Sequence, residues 1–436
     1  MSKNEILMAV RNYADLHLRS PEFVPGKTRV PASGASLNPD DVATLTEAVL
    51  QLWYTDHKFC AKFRRGLGEY FLKNHVTLCN SGSSATLLAL SAALEVYPYK
   101  DYVITTATNF PTAIAAIYQT GQIPIYIDID PDTLSPNFEQ YQSAIKDFKG
   151  KISGVILPHT LGFPFDEQKF DEICPGFFIA DCCDAVGAYL NYEGKPPHVT
   201  GVVPVGTYSD LMTLSFFPAH HIMAGEGGAV LTNNKELKTV VDSFASWGRC
   251  CWCAPGQDNT CGKRFEWEWE KLPKGYDHKY TFCRLGYNMK MTEWQAALGF
   301  SQLSRVSTFV ESRKENFSYL LNNLLVYRDY LDLITIVGRY RASPFGFPIV
   351  VDTDKFTTQE LIAYLEEHKV STRRIFSGNI IKQPGFSKLP NKRFDLAGSD
   401  KLMEDGFWVG CHPALTKEML DYVVSVFDKF FKERGL

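Results

Sequence analysis

Apolar and polar positions along this chain fall into two alternating rhythms. Short apolar and β-branched runs at Val76–Cys79, Tyr102–Thr106, Ile123–Ile129, Ile152–Pro158, Phe177–Ala180, Leu211–Phe216 and Ala229–Thr232 have the length and composition of buried strands. Stretches with helical spacing lie between them, from Ser83 to about Val96 and onward from Pro111. Strand and helix in this alternation predict βαβ units and a mostly parallel sheet. A long helical reach follows from Glu293 to about Tyr327. Beyond it, extended stretches at Phe345–Val351 and Val370–Ile375 and helical ones near Gln359–Glu367 and Lys417–Phe431 predict a smaller α+β unit. At the other end, a helix-like stretch from Asn4 to Leu18 runs into an irregular segment around Pro21, Pro25 and Pro31. The expected division is an arm over 1–40, a large α/β domain over 41–310 and a small α+β domain over 311–436.

Composition narrows what such a fold does. Of the 436 residues 45% are hydrophobic and 22% charged, which supplies a sizeable core and excludes a disordered chain. With 45 basic against 49 acidic residues, the formal charge of -4 argues against a dedicated nucleic-acid or membrane-surface binder. No run approaches the ~20 apolar residues needed to span a bilayer, and Met1–Ala9 lacks the apolar core of a signal peptide, so a cytoplasmic location is expected. Eleven cysteines are unusual there. In a reducing compartment clustered thiols point to metal or redox roles, and Cys250, Cys251, Cys253 and Cys261 crowd together.

Several residues could carry chemistry. Asn80-Ser81-Gly82-Ser83-Ser84 lies between a strand and an Ala/Leu-rich helix, where free amides and hydroxyls suit a phosphate, although ordinary helix capping uses the same residues. Asp181 ends an apolar run, at the strand end where open α/β sheets bind ligands. A carboxylate there can keep a pyridinium nitrogen protonated; the plain alternative is a turn cap. The segment from Ser215 through His220 and His221 to Gly228 reads as a strand end and a Gly-rich turn, and a histidine beside a cofactor can move protons. Cys251, Cys253 and Cys261 supply three thiolates and need a fourth ligand for zinc or a [2Fe–2S] centre, for which Cys182 and Cys183 are candidates. Two trans peptides separate Asp181 from Cys183, limiting their Cα atoms to roughly 7 Å, so a centre held by Cys183 would lie beside a cofactor held by Asp181.

Together these residues resemble a known family, the sugar aminotransferase-like group of fold type I pyridoxal-phosphate enzymes, and within it its iron–sulfur dehydrases. The resemblance rests on Asn80–Ala85, Phe110-Pro111-Thr112, His159–Gly162, Asp181–Ala185, Ser215–Gly228, Cys251–Phe265, Tyr276–Tyr280, Gly286-Tyr287-Asn288 and Thr372–Asn379. It implies a large domain with a mostly parallel mixed sheet and a smaller C-terminal α+β domain, assembled as a homodimer. Where the aminotransferases carry a cofactor-binding lysine this chain has His220. The resemblance therefore implies pyridoxamine 5′-phosphate held without a covalent link, with His220 as the base that removes its C4′ proton. The implied reaction is loss of the C3 hydroxyl from a nucleotide-linked 4-keto-6-deoxyhexose, CDP-4-keto-6-deoxy-D-glucose above others, toward the 3,6-dideoxyhexoses of bacterial surface polysaccharides.

Carried over residue by residue, Gly82, Ser83 and Ser215 are expected at the cofactor phosphate, Phe110 against its ring and Asp181 at its nitrogen. Asp184 is expected as a further polar contact and Asn288 at the phosphate of the neighbouring subunit. Cys183, Cys251, Cys253 and Cys261 are the implied ligands of a [2Fe–2S] cluster fed by an NADH-dependent iron–sulfur flavoprotein reductase or a ferredoxin. The resembled dehydrases place 57 residues between the first two cluster cysteines; the extra ten here are expected in Asn191–Val205. Arg373 and Arg374 are possible substrate contacts. Three other readings compete: a cluster-free GDP-4-keto-6-deoxymannose-type 3-dehydratase, a sugar aminotransferase using another lysine such as Lys290, and a zinc-stapled protein without catalysis.

Overall fold

The computed structural model describes residues 1–18, 22–192, 201–253, 259–334 and 340–436. Its centre is an eight-stranded sheet in the spatial order His75–Cys79, Gly228–Thr232, Leu211–Ser215, Phe177–Asp181, Ile152–Pro158, Tyr102–Thr106, Ile123–Ile127 and Lys392–Arg393. Every pairing is parallel except the two made by Gly228–Thr232, which runs antiparallel to both neighbours. The strands Ile152–Pro158 and Phe177–Asp181 are buried at every position, as expected where helices cover both faces of a parallel sheet. One covering helix, Gly82–Val96, is buried nearly all round and accordingly apolar on every side, from Ala85 to Leu94. The expected mixed, mostly parallel α/β architecture is the one observed.

The carboxyl ends of these strands meet along one edge of the sheet. Cys79, Thr106, Pro158, Asp181 and Ser215 end there, and Gly228 begins there. The loops that follow carry most of the residues singled out in the sequence.

The long helical reach from Glu293 is in fact two helices, Glu293–Leu303 and Val306–Leu324, broken at Ser304 and Arg305. The apolar spacing runs through the break, but the two halves have different neighbours. The first packs on helices Pro39–Val49 and Lys58–Phe71, and the second on Lys417–Glu433. At the break the Arg305 guanidinium turns onto the fully buried Asp41, which also accepts from Ser301 and Gln302. Glu293 is equally buried and accepts from the amides of His57, Phe59 and Cys60, a carboxylate at the start of helix Lys58–Phe71 where its charge is favoured.

A second, antiparallel sheet of four strands, Leu331–Leu333, Phe347–Val351, Gly406–Val409 and Thr372–Arg373, shares a core with the C-terminal helix around Phe317, Phe347, Phe407 and Phe427. This part is bound to the large sheet at two points. Lys392–Arg393 adds a parallel edge strand beside Ile123–Ile127, and Asp128 accepts from the amides of Gly398 and Ser399 at 2.7 and 2.8 Å. The N-terminal helix spans Lys3–His17, and the segment after it pairs Val30 with Val370, which brings Ser33 to the strand-end edge. The stretch Asn191–Val205 joins the short antiparallel strands Tyr189–Tyr192 and Gly201–Pro204; residues 193–200 lie outside the described ones. No helix among the described residues is long and apolar enough to cross a membrane.

Candidate active site

A cavity of about 560 Å³ opens at the strand ends, lined by Gly82, Ser83, Phe110, Asp181, Cys183, Asp184, Ser215 and His220 among others. It therefore gathers every sequence-designated cofactor residue except Asn288. Ser33, Glu226, Phe345, Arg373, Arg374 and Trp408 complete much of the wall, so the arm and the small sheet both contribute. No lysine lines it.

One end of the cavity is built for an anion. Ser81 caps helix Gly82–Val96 through its hydroxyl, which accepts from the Ser84 amide at 3.1 Å. The first turn of this 15-residue helix presents its amides toward the cavity's Gly82 and Ser83 side. Gly82 packs so closely on Ser215 that an added Cβ would meet the Ser215 Cβ at 2.5 Å. Ser83 donates to the hydroxyl of Thr112, a residue of the Phe110-Pro111-Thr112 motif, at 2.8 Å, a pairing that the sequence did not reveal.

At the floor, Asp181 is held by two donors. The Cys183 amide and the Thr213 hydroxyl each reach its Oδ1 at 3.1 Å, leaving the other oxygen uncommitted to them. Phe110 precedes helix Pro111–Gln119 as its cap and stands half exposed over the cavity, with an edge contact from Phe376. His159 also lines the cavity. Its Nε2 lies 2.7 Å from the buried Glu167, whose carboxylate also accepts from the Gly206 and Tyr208 amides.

The tandem histidines separate cleanly. His221 points away from the cavity and meets the Ser343 hydroxyl and carbonyl at 2.9 and 3.2 Å. His220 lies in the cavity, its Nδ1 3.4 Å from Asp184 Oδ1 and its ring 5.1 Å from that of Phe345. Burial, and then the Asp181 charge, push the Asp184 carboxyl up to about 8; burial and the Arg313 charge push the His220 imidazole down to about 3. Near neutral pH the pair is thus a carboxylic acid beside a neutral imidazole. Arg313 is itself fully buried, donating to the carbonyls of Ala219, Pro344 and Phe345, and so ties the histidine loop to the small sheet.

Asn288 and Lys290 lie outside the cavity. Asn288 bridges to Ser246, and its side chain accepts from Lys290 at 2.9 Å. The Lys290 ammonium sits over the Trp247 ring at 3.4 Å, and burial with Arg249 nearby pushes it down to about 8.

The four expected cluster cysteines do not fall in one place. Cys251 and Cys253 stand with His278, their donor atoms all within 4.8 Å of one another, and Cys261 Sγ is 3.5 Å from the same His278 nitrogen. Cys183 is instead in the cofactor cavity, where burial and the Asp181 carboxylate raise its thiol well above the ordinary range. Cys182 is fully buried beside His159 and Glu167. Cys250, the competing thiol of the loop, is joined to Cys283 in a disulfide. His278 was within a quoted segment, Tyr276–Tyr280, but a lone histidine between aromatics carries no ligand signal in sequence.

A mixed parallel sheet with a strand-end cavity of this composition is the architecture of a pyridoxal-phosphate-dependent aminotransferase-like protein. The model of the DegT/DnrJ/EryC1/StrS aminotransferase family matches residues 36–428, and the chain belongs to that family. It is 42% identical over 440 residues to the lipopolysaccharide biosynthesis protein RfbH of Salmonella typhimurium, covering 98% of each chain. It is 39% identical to the dTDP-4-dehydro-2,6-dideoxy-D-glucose 3-dehydratase of Saccharopolyspora spinosa, covering 98% of this chain and 92% of that one. Among solved structures, the E. coli GDP-4-keto-6-deoxy-D-mannose-3-dehydratase with bound hydrated PLP superposes with a TM-score of 0.78 at 21% identity, over 92% of this chain and 99% of that one.

Proposed function

We propose that this protein is a pyridoxamine-phosphate-dependent 3-dehydrase of a nucleotide-linked 4-keto-6-deoxyhexose, with CDP-4-keto-6-deoxy-D-glucose as substrate. The observation that carries the reading is His220 in a cofactor cavity whose wall, among the described residues, contains no lysine. The 3-dehydratase names of two relatives at 39% and 25% identity, the latter from Yersinia pseudotuberculosis, agree with it.

When bound, the cofactor supplies an amine to condense with the sugar's 4-keto group and an electron sink for departure of the C3 hydroxyl. The residues that would hold it are Gly82, Ser83 and Ser215 at the phosphate, Phe110 at the ring face and Asp181 at the ring nitrogen. The fit rests on the close Gly82–Ser215 contact, which admits no side chain between the helix start and the strand end, and on Asp181, whose Oδ2 is left aside by the Cys183 amide and the Thr213 hydroxyl. A neutral His220 has a ring nitrogen free to accept a proton, and the protonated Asp184 beside it can hold the ring by hydrogen bonding. Arg373 and Arg374, both exposed at the cavity wall, are placed for a nucleotide diphosphate. Asn288, outside this cavity, would serve the phosphate of a second subunit in a homodimer.

Removing the C3 oxygen needs two electrons. The loop of Cys251, Cys253 and Cys261 supports a [2Fe–2S] centre that would relay them from an NADH-dependent flavoprotein reductase or a ferredoxin. The test is to incubate anaerobically reconstituted protein with pyridoxamine phosphate and CDP-, dTDP- or GDP-linked 4-keto-6-deoxyhexose, with and without reductant. Reductant-dependent loss of the C3 oxygen from the CDP sugar is expected. Release of a keto sugar without reductant, with glutamate restoring the cofactor, would move the assignment to the cluster-free dehydratase.

A further inference from the structure

We propose that Phe376 is a positioning residue for the cofactor ring: held in a strained turn at the cavity wall, it fixes the tilt of Phe110, the side chain expected on the cofactor's face. The inference adds this residue to the proposed function and rests on that reading for the cofactor.

Phe376 has a φ of +46°, in the left-handed region where a residue with a Cβ crowds its own backbone. It follows the fully buried Ile375 in a turn closed by the Gly378 amide, which donates to the Ile375 carbonyl at 3.0 Å. Turns with a positive φ at a central position favour Gly or Asn, so a phenylalanine stands there against the preference of the backbone. Strained residues of this kind cluster at functional sites and persist where their surroundings over-determine them. Here the surroundings do so from several sides. The Trp408 indole donates to the Arg374 carbonyl at 3.1 Å, and the Gln383 side-chain amide donates to the Ser377 carbonyl at 2.9 Å. Gly378 packs so closely on Met403 that an added Cβ would meet the Met403 Cβ at 2.6 Å.

What this turn places is an aromatic ring. Phe376 lines the cavity, with its centroid 6.3 Å from that of Phe110 and the two planes at 76°, the edge-to-face geometry that aromatic quadrupoles favour. Both rings hang from one residue. Asn109 is fully buried; its side-chain oxygen accepts the Phe110 amide at 2.7 Å, its carbonyl accepts the Ser377 hydroxyl at 2.8 Å, and its side-chain amide donates to Thr105 at 3.1 Å. Phe110 and Phe376 thus share an anchor on strand Tyr102–Thr106, although Phe376 belongs to the segment that follows strand Thr372–Arg373 of the small sheet. A ring fixed beforehand loses less freedom when a ligand stacks on it, which is how preorganisation adds affinity.

A double-substitution cycle on the full-length, cofactor-free protein tests the assignment, with pyridoxamine phosphate as titrant in calorimetry and thermal melting as the second reading. Phe376→Asn suits the turn and removes the ring. It should melt no lower than the unsubstituted protein, because relief of the left-handed strain offsets the lost ring contacts. It should nevertheless bind pyridoxamine phosphate ~5-fold more weakly, the scale of an edge-to-face pair. Phe376→Tyr keeps the ring and should keep the affinity. Phe110→Ala should weaken binding ~10-fold. Adding Phe376→Asn to Phe110→Ala should cost no further affinity, since Phe376 acts through Phe110. Additive losses would mean that Phe376 meets the ligand directly and would overturn the proposal, as would unchanged affinity in Phe376→Asn. A melting temperature that falls together with the affinity would assign Phe376 to packing and overturn it as well. If the unsubstituted protein binds no pyridoxamine phosphate, the cofactor reading fails along with the proposal; binding without coupling between the two rings sinks the proposal alone.

Discussion

The cofactor cavity and the thiol loop are held by opposite means. The cavity stands on strand ends of an eight-stranded sheet, and that frame and its helices hold two of its polar side chains, Thr213 for Asp181 and Thr112 for Ser83, while Gly82 packs directly on Ser215. Among its described residues the thiol loop has only the short helix His278–Tyr280 and isolated bridges such as Arg249 with Phe282. Side-chain pairs and a disulfide do there what strands do in the cavity. Its surface is also apolar, with Trp252, Phe265, Tyr280 and Phe282 more than half exposed. A site built on a sheet is formed before its ligand arrives. A site built on turns would gain part of its folding free energy from any metal it came to hold. Cofactor binding and metal binding should therefore respond to different substitutions.

The largest effect expected is at His220. His220→Asn should leave pyridoxamine phosphate affinity within about twofold, yet slow solvent exchange of the cofactor's C4′ proton by ~10²–10⁴-fold, the usual contribution of a positioned base. Proton NMR of the bound cofactor in deuterated buffer measures it. Retained exchange would place the base elsewhere, with His159 next in the cavity wall. In the loop, Arg264→Ala removes the clasp on Asp277 that holds the His278–Tyr280 helix beside the thiols, and if the thiols bind metal its loss should weaken that affinity ~10–100-fold. Competition with a chromophoric chelator reads this directly. Pyridoxamine phosphate affinity should not change; if it does, the two sites are one mechanical unit and the contrast drawn above is wrong.

Gly82→Ala comes next. In an exposed helix this change gains up to about 1 kcal/mol from helix propensity. Here the new Cβ meets Ser215 at 2.5 Å, and overpacking of about 1–3 kcal/mol outweighs the gain. The variant should melt lower and bind the cofactor ~10-fold more weakly, since the cradle itself must shift, by about 1.4 kcal/mol of binding. Metal content should match the unsubstituted protein. An equal or higher melting temperature would mean that helix and strand can separate at no cost.

How much of this was legible in sequence follows the same contrast. The strand runs lie within two residues of their observed bounds because burial on both faces leaves a continuous apolar signal, as at Ile152–Pro158. The cavity residues were readable because strand ends and helix starts put Asp181, Ser215 and Gly82 at fixed places along one sheet edge. The break at Ser304 was not, since both flanking helices keep apolar spacing and the turn is set by Arg305 reaching Asp41, 264 residues away. Nor was Thr213 or Arg313, nor the pairing of Thr112 with Ser83, each of which works through a partner remote in sequence. In the loop the thiols announced themselves by spacing, but the histidine beside them did not. Its proximity comes from the Arg264–Asp277 pairing, which no local pattern encodes.

A last test, free of cofactor and metal, isolates the electrostatics of the cavity. With its carboxyl pushed up to about 8, Asp184 keeps a proton in the folded protein that the unfolded chain releases near 3.9. Between those values the folded state binds more protons, so this group makes stability fall as pH rises from about 4 to about 8. His220, pushed down to about 3, works in the opposite sense: the unfolded chain binds the extra proton, and its contribution is lost as pH falls from about 6.5 toward 3. Cofactor-free protein should accordingly be most stable near the middle of the two windows. Asp184→Asn should remove only the alkaline slope, so that its melting temperature exceeds that of the unsubstituted protein by a margin that widens from pH 5 to pH 8. His220→Asn should flatten only the acid side. Thermal scans of the two variants across this range, in the absence of cofactor, separate the contributions. A margin for Asp184→Asn that stays constant with pH would mean that Asp184 is ionised in the empty cavity. The neutral acid–imidazole pair assigned to it would then be the wrong starting state for proton transfer.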